Sequence, residues 1–272
     1  MSLRMIDLGG RMASVLEQGS GAPLVYLHDF ADVHGVEADL LPFHEALARD
    51  RLLLAPAHPG VNGSDDMPGP HGIEDVVFHY LQVFDALGLA TFDLVGHGVG
   101  GWIAAEIAVR HPEKIRKLCL LGACGLFVPG EPIADIFMHT QPERGVSYAT
   151  LRRMLFASDS TEHGLRYYPD GRGDLDEETR RYQMIRFCSF VGFKPPYLYN
   201  RSLIERLGRA RMPSLVVWGE RDGFTPIAHG RAYADRLPAA APLEIVPGAG
   251  HSLPMEQGEA LAALVGAFLN RV

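Results

Sequence analysis

Residues 94–101 read Leu94-Val95-Gly96-His97-Gly98-Val99-Gly100-Gly101. An apolar run enters a cluster of glycines and leaves into the helical stretch Gly101 to Arg110, so the segment predicts a buried strand, a tight turn and a helix. In the pattern G-x-S-x-G the central residue of such a turn presents a hydroxyl at the top of a sheet. Here the centre of the frame Gly96-His97-Gly98-Val99-Gly100 is Gly98, which has no hydroxyl. Glycine accepts strained torsions at least cost, so the replacement spares the fold while removing the attacking oxygen.

On either side of this turn, short apolar runs alternate with amphipathic stretches. Leu24 to Leu27, Arg51 to Ala55, Phe92 to Val95 and Ile115 to Leu121 read as buried strands. Glu37 to Ala48 reads as a helix interrupted by Pro42, and Ile73 to Leu87 carries apolar residues at helical spacing. His111-Pro112 stops the helix that follows Gly98. From about Cys124 to Arg209 the rhythm is lost. That stretch shows only helical patterns rich in Arg, Tyr, Phe and Met, broken at Pro129-Gly130, Pro169-Asp170-Gly171 and Lys194-Pro195-Pro196. Strand and helix then return as Ser214 to Trp218, Ala228 to Arg236, Leu243 to Val246 and Met255 to Leu269. The expected architecture is α/β: a mostly parallel twisted sheet with helices on both faces, built from residues 1–123 and 210–272, with residues 124–209 as a helical cap over its carboxyl edge.

Composition narrows the function. The chain has 272 residues, 47% of them hydrophobic, enough for a large core. No apolar run approaches the roughly 18 residues of a membrane span. The start, Met-Ser-Leu-Arg-Met-Ile-Asp, lacks the basic and apolar regions of a signal peptide. Cys119, Cys124 and Cys188 show no C-x-x-C spacing and read as free thiols of a reducing cytoplasm. A net charge of −8 without any dense Lys/Arg run argues against nucleic acid as a partner.

Five features stand in order at predicted strand ends: the loop at His28, Ala55-Pro56-Ala57-His58-Pro59-Gly60, the turn at Gly96 to Gly101, Trp218-Gly219-Glu220-Arg221-Asp222, and Pro247-Gly248-Ala249-Gly250-His251. With them the chain resembles the α/β-hydrolase fold superfamily, of the capped, serine-hydrolase-like kind. The resemblance covers essentially the whole chain. It implies a cofactor-free triad in the order nucleophile, acid, histidine, placed here at Gly98, Asp222 and His251. Asp222 would orient the imidazole; its competing role is a cap on the following helix, and Glu220 is the rival carboxylate. The resemblance also implies oxyanion donors at the backbone N–H groups of Phe30 and Val99. One departure concerns that hole. The family has His-Gly after the first buried strand, whereas this chain has His28-Asp29. A carboxylate pointing inward would disfavour an oxyanion, and one pointing outward would spare it; the sequence leaves both open.

Other nucleophiles are weaker candidates. Ser64 matches a structural loop serine, Ser252 projects from another loop position, and Cys124 reads as buried. His28, His58, His97 and His251 with Asp29 invite a metal, but their spacing fits no metal motif, and none is expected. Substrate contacts are expected from His28, Asp29, His97, Arg186 and Phe190, within an aromatic set that includes Tyr167, Tyr168, Phe187, Phe193 and Tyr197. The function read from these residues is hydrolysis of a small ester, thioester, epoxide-like or carbon–carbon-bonded substrate, by water activated at His251–Asp222 or in an impaired form. The alternative is a ligand-binding protein that has lost the chemistry. Retention of Asp222 and His251 favours the enzyme, and Asp29 favours the binder. Self-association is left open.

Overall fold

The computed structural model describes residues 1–68, 72–139, 148–171, 174–193, 197–238 and 241–271; the expected break at Lys194-Pro195-Pro196 lies outside them. The strands are β1 (Ser2–Asp7), β2 (Met12–Gln18), β3 (Ala22–Leu27), β4 (Arg51–Pro56), β5 (Phe92–His97), β6 (Ile115–Leu121), β7 (Ser214–Gly219) and β8 (Leu243–Val246). They form one sheet in the order β1-β2-β4-β3-β5-β6-β7-β8. β1 and β2 pair antiparallel, as do β2 and β4, and every later pairing is parallel. The helices are α1 (Pro42–Leu47), α2 (Ile73–Ala86), α3 (Gly98–Arg110), α4 (Tyr148–Leu155), α5 (Glu162–Tyr167), α6 (Leu175–Gly192), α7 (Leu203–Arg206), α8 (Ile227–Arg236), α9 (Leu253–Glu256) and α10 (Gly258–Leu269).

The expected α/β class and mostly parallel sheet are both present. Two helical layers sandwich the sheet: one apolar cluster includes Phe84, Trp102 and Trp218, and the other includes Phe43, Leu261 and Phe268. Three details differ from the sequence reading. β1 and β2 lie outside the expected strands: β1 is an edge strand with all but Ile6 exposed, while β2, though buried from Ala13 to Leu16, mixes Ser14, Glu17 and Gln18 with its apolar residues and shows no apolar run. Pro42 does not interrupt a helix but opens α1, where its missing N–H costs nothing. α3 starts at Gly98 itself rather than after the glycine cluster. Between β6 and β7 no strand occurs among the described residues, which instead form α4 to α7. No helix among the described residues is long and apolar enough to cross a membrane.

Strand order fixes where a site can form. From β3 the chain moves to β4 on one side, then returns to β5 on the other. At such a switch point the loops leaving the two neighbouring strands diverge and leave a crevice. The loop at His28 and the turn at Gly98 are the two loops concerned.

Candidate active site

β3 and β5 lie side by side with Leu27 opposite Gly96. Two residues further along each strand, Asp29 is therefore brought opposite Gly98, and its carboxylate fills the turn. Gly98 has φ +50, and a Cβ built on it would lie 2.1 Å from Asp29 Oδ1 and 2.2 Å from Asp29 Cγ. Asp29 Oδ1 accepts the Val99 N–H at 2.8 Å, at the first turn of α3. That donor was expected to serve a substrate oxyanion; in the structure it holds a carboxylate of the chain itself. The helix N-terminus favours the negative charge there. The inward orientation of Asp29, one of the two left open by the sequence, is the one present.

His251 faces the same point. Its Nδ1 lies 2.7 Å from Asp222 Oδ2, while Asp222 Oδ1 accepts the backbone N–H groups of Phe224 and Thr225 at 2.9 and 2.8 Å. Asp222 thus caps a turn and orients the imidazole at once, so the two competing roles coexist. Glu220 instead accepts the Gly248 N–H at an exposed position. Nε2 of His251 stands 3.2 Å from Asp29 Oδ2. The approach is off the line that a hydrogen bond needs, so both buried atoms lack an aligned partner.

Asp32 and His97 hold this arrangement from behind. Asp32 Oδ1 accepts the Asp29 N–H at 2.9 Å, and Oδ2 accepts from the Tyr26 hydroxyl and from His97 Nδ1. The other nitrogen of His97 lies 2.7 Å from the His251 carbonyl oxygen. A carbonyl can only accept, and so can an ionised carboxylate, so His97 carries a proton on each nitrogen. Burial alone would lower its pKa, but the bond to Asp32 and the charges of Asp32 and Asp29 raise it. Atoms of Asp29, His97 and His251 come within 4.8 Å of one another, but His97 has both nitrogens engaged in these bonds.

Charge is tightly coupled in this pocket. Burial alone would lower the His251 pKa, yet the charge and hydrogen bond of Asp222, with the Asp29 carboxylate, raise it to about 10. For Asp29 the burial penalty is likewise outweighed, by His251, His97 and the Val99 N–H, and its pKa falls below the ordinary value. At neutral pH Asp29 is therefore a carboxylate and His251 an imidazolium. Because the folded pKa of His251 is raised, its stabilising contribution is fully present below the ordinary value of about 6.5 and is lost as pH rises through about 10. Asp29 has the opposite sign: its contribution is present above about 3.9 and is lost as pH falls through its lower folded value. Urea midpoints are expected to decline from neutral pH to about pH 10, and less steeply in His251→Gln. Equal declines in both proteins would remove the imidazolium as the cause.

The remaining predicted residues divide into those near the site and those away from it. His28 is buried behind Asp29, accepting the His58 N–H at Nε2 and donating from Nδ1 to the Asp29 carbonyl. His58 donates to the His28 carbonyl and bonds the Tyr80 hydroxyl, and burial lowers its pKa to about 3. These two histidines are neutral framework rather than substrate contacts, and His97 is framework too, in its charged form. Ser64 accepts the Ser14 N–H and donates to the Ala57 carbonyl, a structural tie between its loop and β2. Cys124 is buried, with its thiol pKa pushed up by burial, so it stays a thiol. All three cysteines are free and buried.

A cavity of about 310 Å³ lies beneath α4 and α6, with Phe30, Leu151, Tyr168 and Met184 among its walls. Its cation is Arg181, not Arg186. Arg186 sits at the surface in a two-bond pair with Asp66, both at 2.7 Å, and its guanidinium lies over Phe190. Arg186 and Phe190 are therefore placed away from the cavity. At about 100° per residue, Arg186 lies about 140° round α6 from Arg181, whereas Met184 and Ile185 share the face of Arg181. Helical phase would have distinguished the two arginines. Arg181 bonds the Tyr167 carbonyl, pairs with Glu177 and Glu178, and packs against the rings of Tyr148 and Tyr168. Of the other aromatic residues expected here, Phe187 stacks on His58, while Phe193 and Tyr197 are exposed.

Phe30 separates the cavity from the buried charges. Its ring meets Phe224 edge-on at 5.6 Å, and Phe224 meets His251 at 4.9 Å. Asp29 and His251 are fully buried and neither is among the residues that line the cavity.

Comparison with known proteins agrees with this fold. The family model described as "Alpha/beta hydrolase family" matches residues 24–264. The 2-hydroxymuconate semialdehyde hydrolase of Pseudomonas sp. (strain CF600) is 30% identical, over 98% of this chain and 93% of its own length. A 2-hydroxy-6-oxo-2,4-heptadienoate hydrolase of Pseudomonas putida is 26% identical, over 98% of this chain and 95% of its own. Among solved structures, a mutant meta-cleavage product hydrolase superposes with a TM-score of 0.78 at 20% identity, covering 99% of this chain and 98% of that one.

Proposed function

Because the chain belongs to the alpha/beta hydrolase family, we propose that it hydrolyses a small, largely apolar substrate, with the His251–Asp222 pair moving the protons. The substrate lies in the cavity between Phe30 and a helical cap formed by residues 124–209. The observation that carries this reading is the orientation of His251. Asp222 fixes Nδ1 at 2.7 Å, and Nε2 is turned to the Asp29 carboxylate that fills the turn over Gly98, the place where a reacting group belongs. The named substrates of two relatives are unsaturated oxo acids small enough for a cavity of about 310 Å³. An acyl-enzyme on the turn residue is excluded, because Gly98 offers no oxygen. The reading requires no cofactor, nucleic acid or membrane, and it fits a cytoplasmic protein.

One observation favours a second reading, a ligand-binding protein without turnover: Asp29 occupies the turn and takes the Val99 N–H. The two are separated by assaying p-nitrophenyl acetate, 2-hydroxymuconate semialdehyde and styrene oxide. The hydrolase reading expects steady-state turnover of at least one of them. Binding of these compounds with no turnover of any would establish the second reading.

A further inference from the structure

We infer that Asp29 is the nucleophile of this site, relocated from β5 to β3, and that the substrate class it selects is the epoxide. The inference rests on the hydrolase reading above and specifies its chemistry. Three observations converge on it. The Asp29 carboxylate fills the volume in which a side chain on Gly98 would stand, with Oδ1 2.1 Å from the Cβ built there. Oδ2 and His251 Nε2 face each other at 3.2 Å, both buried and both without an aligned partner. Oδ1, by contrast, is anchored on the Val99 N–H, which leaves Oδ2 as the reactive atom.

The chemistry of a carboxylate then selects the substrate. Attack on an acyl carbon would form an anhydride, a step uphill from an ester. Attack on an epoxide carbon forms an ordinary ester, and the strained ring drives the step. In the first step Asp29 Oδ2 bonds to an epoxide carbon, the carbon–oxygen bond of the ring breaks, and the departing alkoxide, on the far face of that carbon, takes a proton from water, whose hydroxide is neutralised by the proton of His251 Nε2. Removing the charge of Asp29 also removes one of the causes that hold His251 protonated, and the imidazole left behind is neutral. In the second step this imidazole takes a proton from water while the water oxygen bonds to Cγ of the ester. The tetrahedral oxyanion forms on Oδ1, already in contact with the Val99 N–H. Collapse breaks the bond from Cγ to the ester oxygen. The second water proton passes to the departing oxygen, giving a vicinal diol, an Asp29 carboxylate and protonated His251. Epoxide plus water equals diol, and no other reactant is consumed.

The test uses the unmodified protein in molar excess over styrene oxide in heavy-oxygen water, limited to one turnover and corrected for the uncatalysed reaction. The expected result is an unlabelled diol, with heavy oxygen in the peptide that carries Asp29. Label in the diol and none in Asp29 would mean direct attack by water and would overturn the inference. A second measurement follows the proteins by mass. His251→Gln is expected to accumulate one epoxide equivalent on Asp29, and folded Asp29→Asn none. Full diol production by Asp29→Asn would reduce Asp29 to a helix cap and overturn the inference independently. If p-nitrophenyl acetate or the semialdehyde is turned over but styrene oxide is not, the nucleophile inference fails and the hydrolase reading stands. If no probe is turned over, the hydrolase reading fails as well.

Discussion

Gly98→Ser alone is expected to destabilise the protein and to yield no acyl-enzyme burst, whereas Gly98→Ser combined with Asp29→Gly is expected to burst on p-nitrophenyl acetate. The single change places a Cβ 2.1 Å from Asp29 Oδ1 at a residue with φ +50. Asp29 cannot yield cheaply, because moving its carboxylate forfeits both the Val99 N–H and the contact with His251. Overpacking together with an ill-paired buried charge costs about 3 kcal/mol, a fall in Tm of order 10 °C in a chain this size. The double change removes the obstacle. The introduced serine hydroxyl then takes the place of the carboxylate beside His251, and the Val99 N–H is released to serve an oxyanion. Residue 29 becomes the glycine that the superfamily pattern has. Ester hydrolysis is expected to exceed that of the unmodified protein by about 10²–10³-fold, the size of an oxyanion-hole contribution. Stopped-flow release of p-nitrophenol and thermal melts of the three proteins check both halves. A burst from Gly98→Ser alone would show that Asp29 is mobile, contrary to the packing described.

Asp222→Asn is expected to lower turnover of the best substrate by about 10³–10⁴-fold and to forfeit part of the stability that the raised His251 pKa supplies below about pH 10. The direction follows from which side of Asp222 must accept. Oδ1 receives the N–H groups of Phe224 and Thr225, so an amide at this position keeps its carbonyl oxygen there. Its NH₂ is then turned to His251 Nδ1, which must become an acceptor. The imidazole would carry its one proton on Nε2, the nitrogen that has to receive a proton from water. Losing the Asp222 charge also lowers the His251 pKa, since that charge is the main cause of its elevation. Steady-state rates against pH distinguish this from a packing defect. The variant should lose rate and shift its profile to lower pH, while its melting temperature, lower than the parent's at neutral pH, approaches it as pH rises to about 10. An unchanged rate would remove His251–Asp222 from the chemistry.

Much of this site is legible in the chain because it is written locally. The run Leu94 to Gly101 specifies strand, turn and helix through composition alone, and Asp222 and His251 each follow an apolar strand at a predictable distance. What was not legible depends on relations between segments. Arg186 and Arg181 look equivalent in the sequence, and only the phase of α6 decides which one faces the cavity. β1 escaped notice because an exposed edge strand has no apolar signature. The pairing of Asp29 with Gly98 was visible as two separate departures from one pattern, but not as a single linked change. The signal that joins them is register: once β3 and β5 are taken as neighbours with Leu27 opposite Gly96, the two odd residues meet.

The Phe30 partition has a consequence for how such a protein would be found. Fluorophosphonate probes report hydrolases by capturing an activated serine, and here the turn offers none. Carbodiimide labelling reports accessible carboxylates, and Asp29 has no exposed surface while Phe30 rests on Phe224. An active sample would therefore read as inert in both surveys. A probe that reports this site has to be an electrophile that reaches the buried carboxylate itself, after which the chemistry marks its own residue.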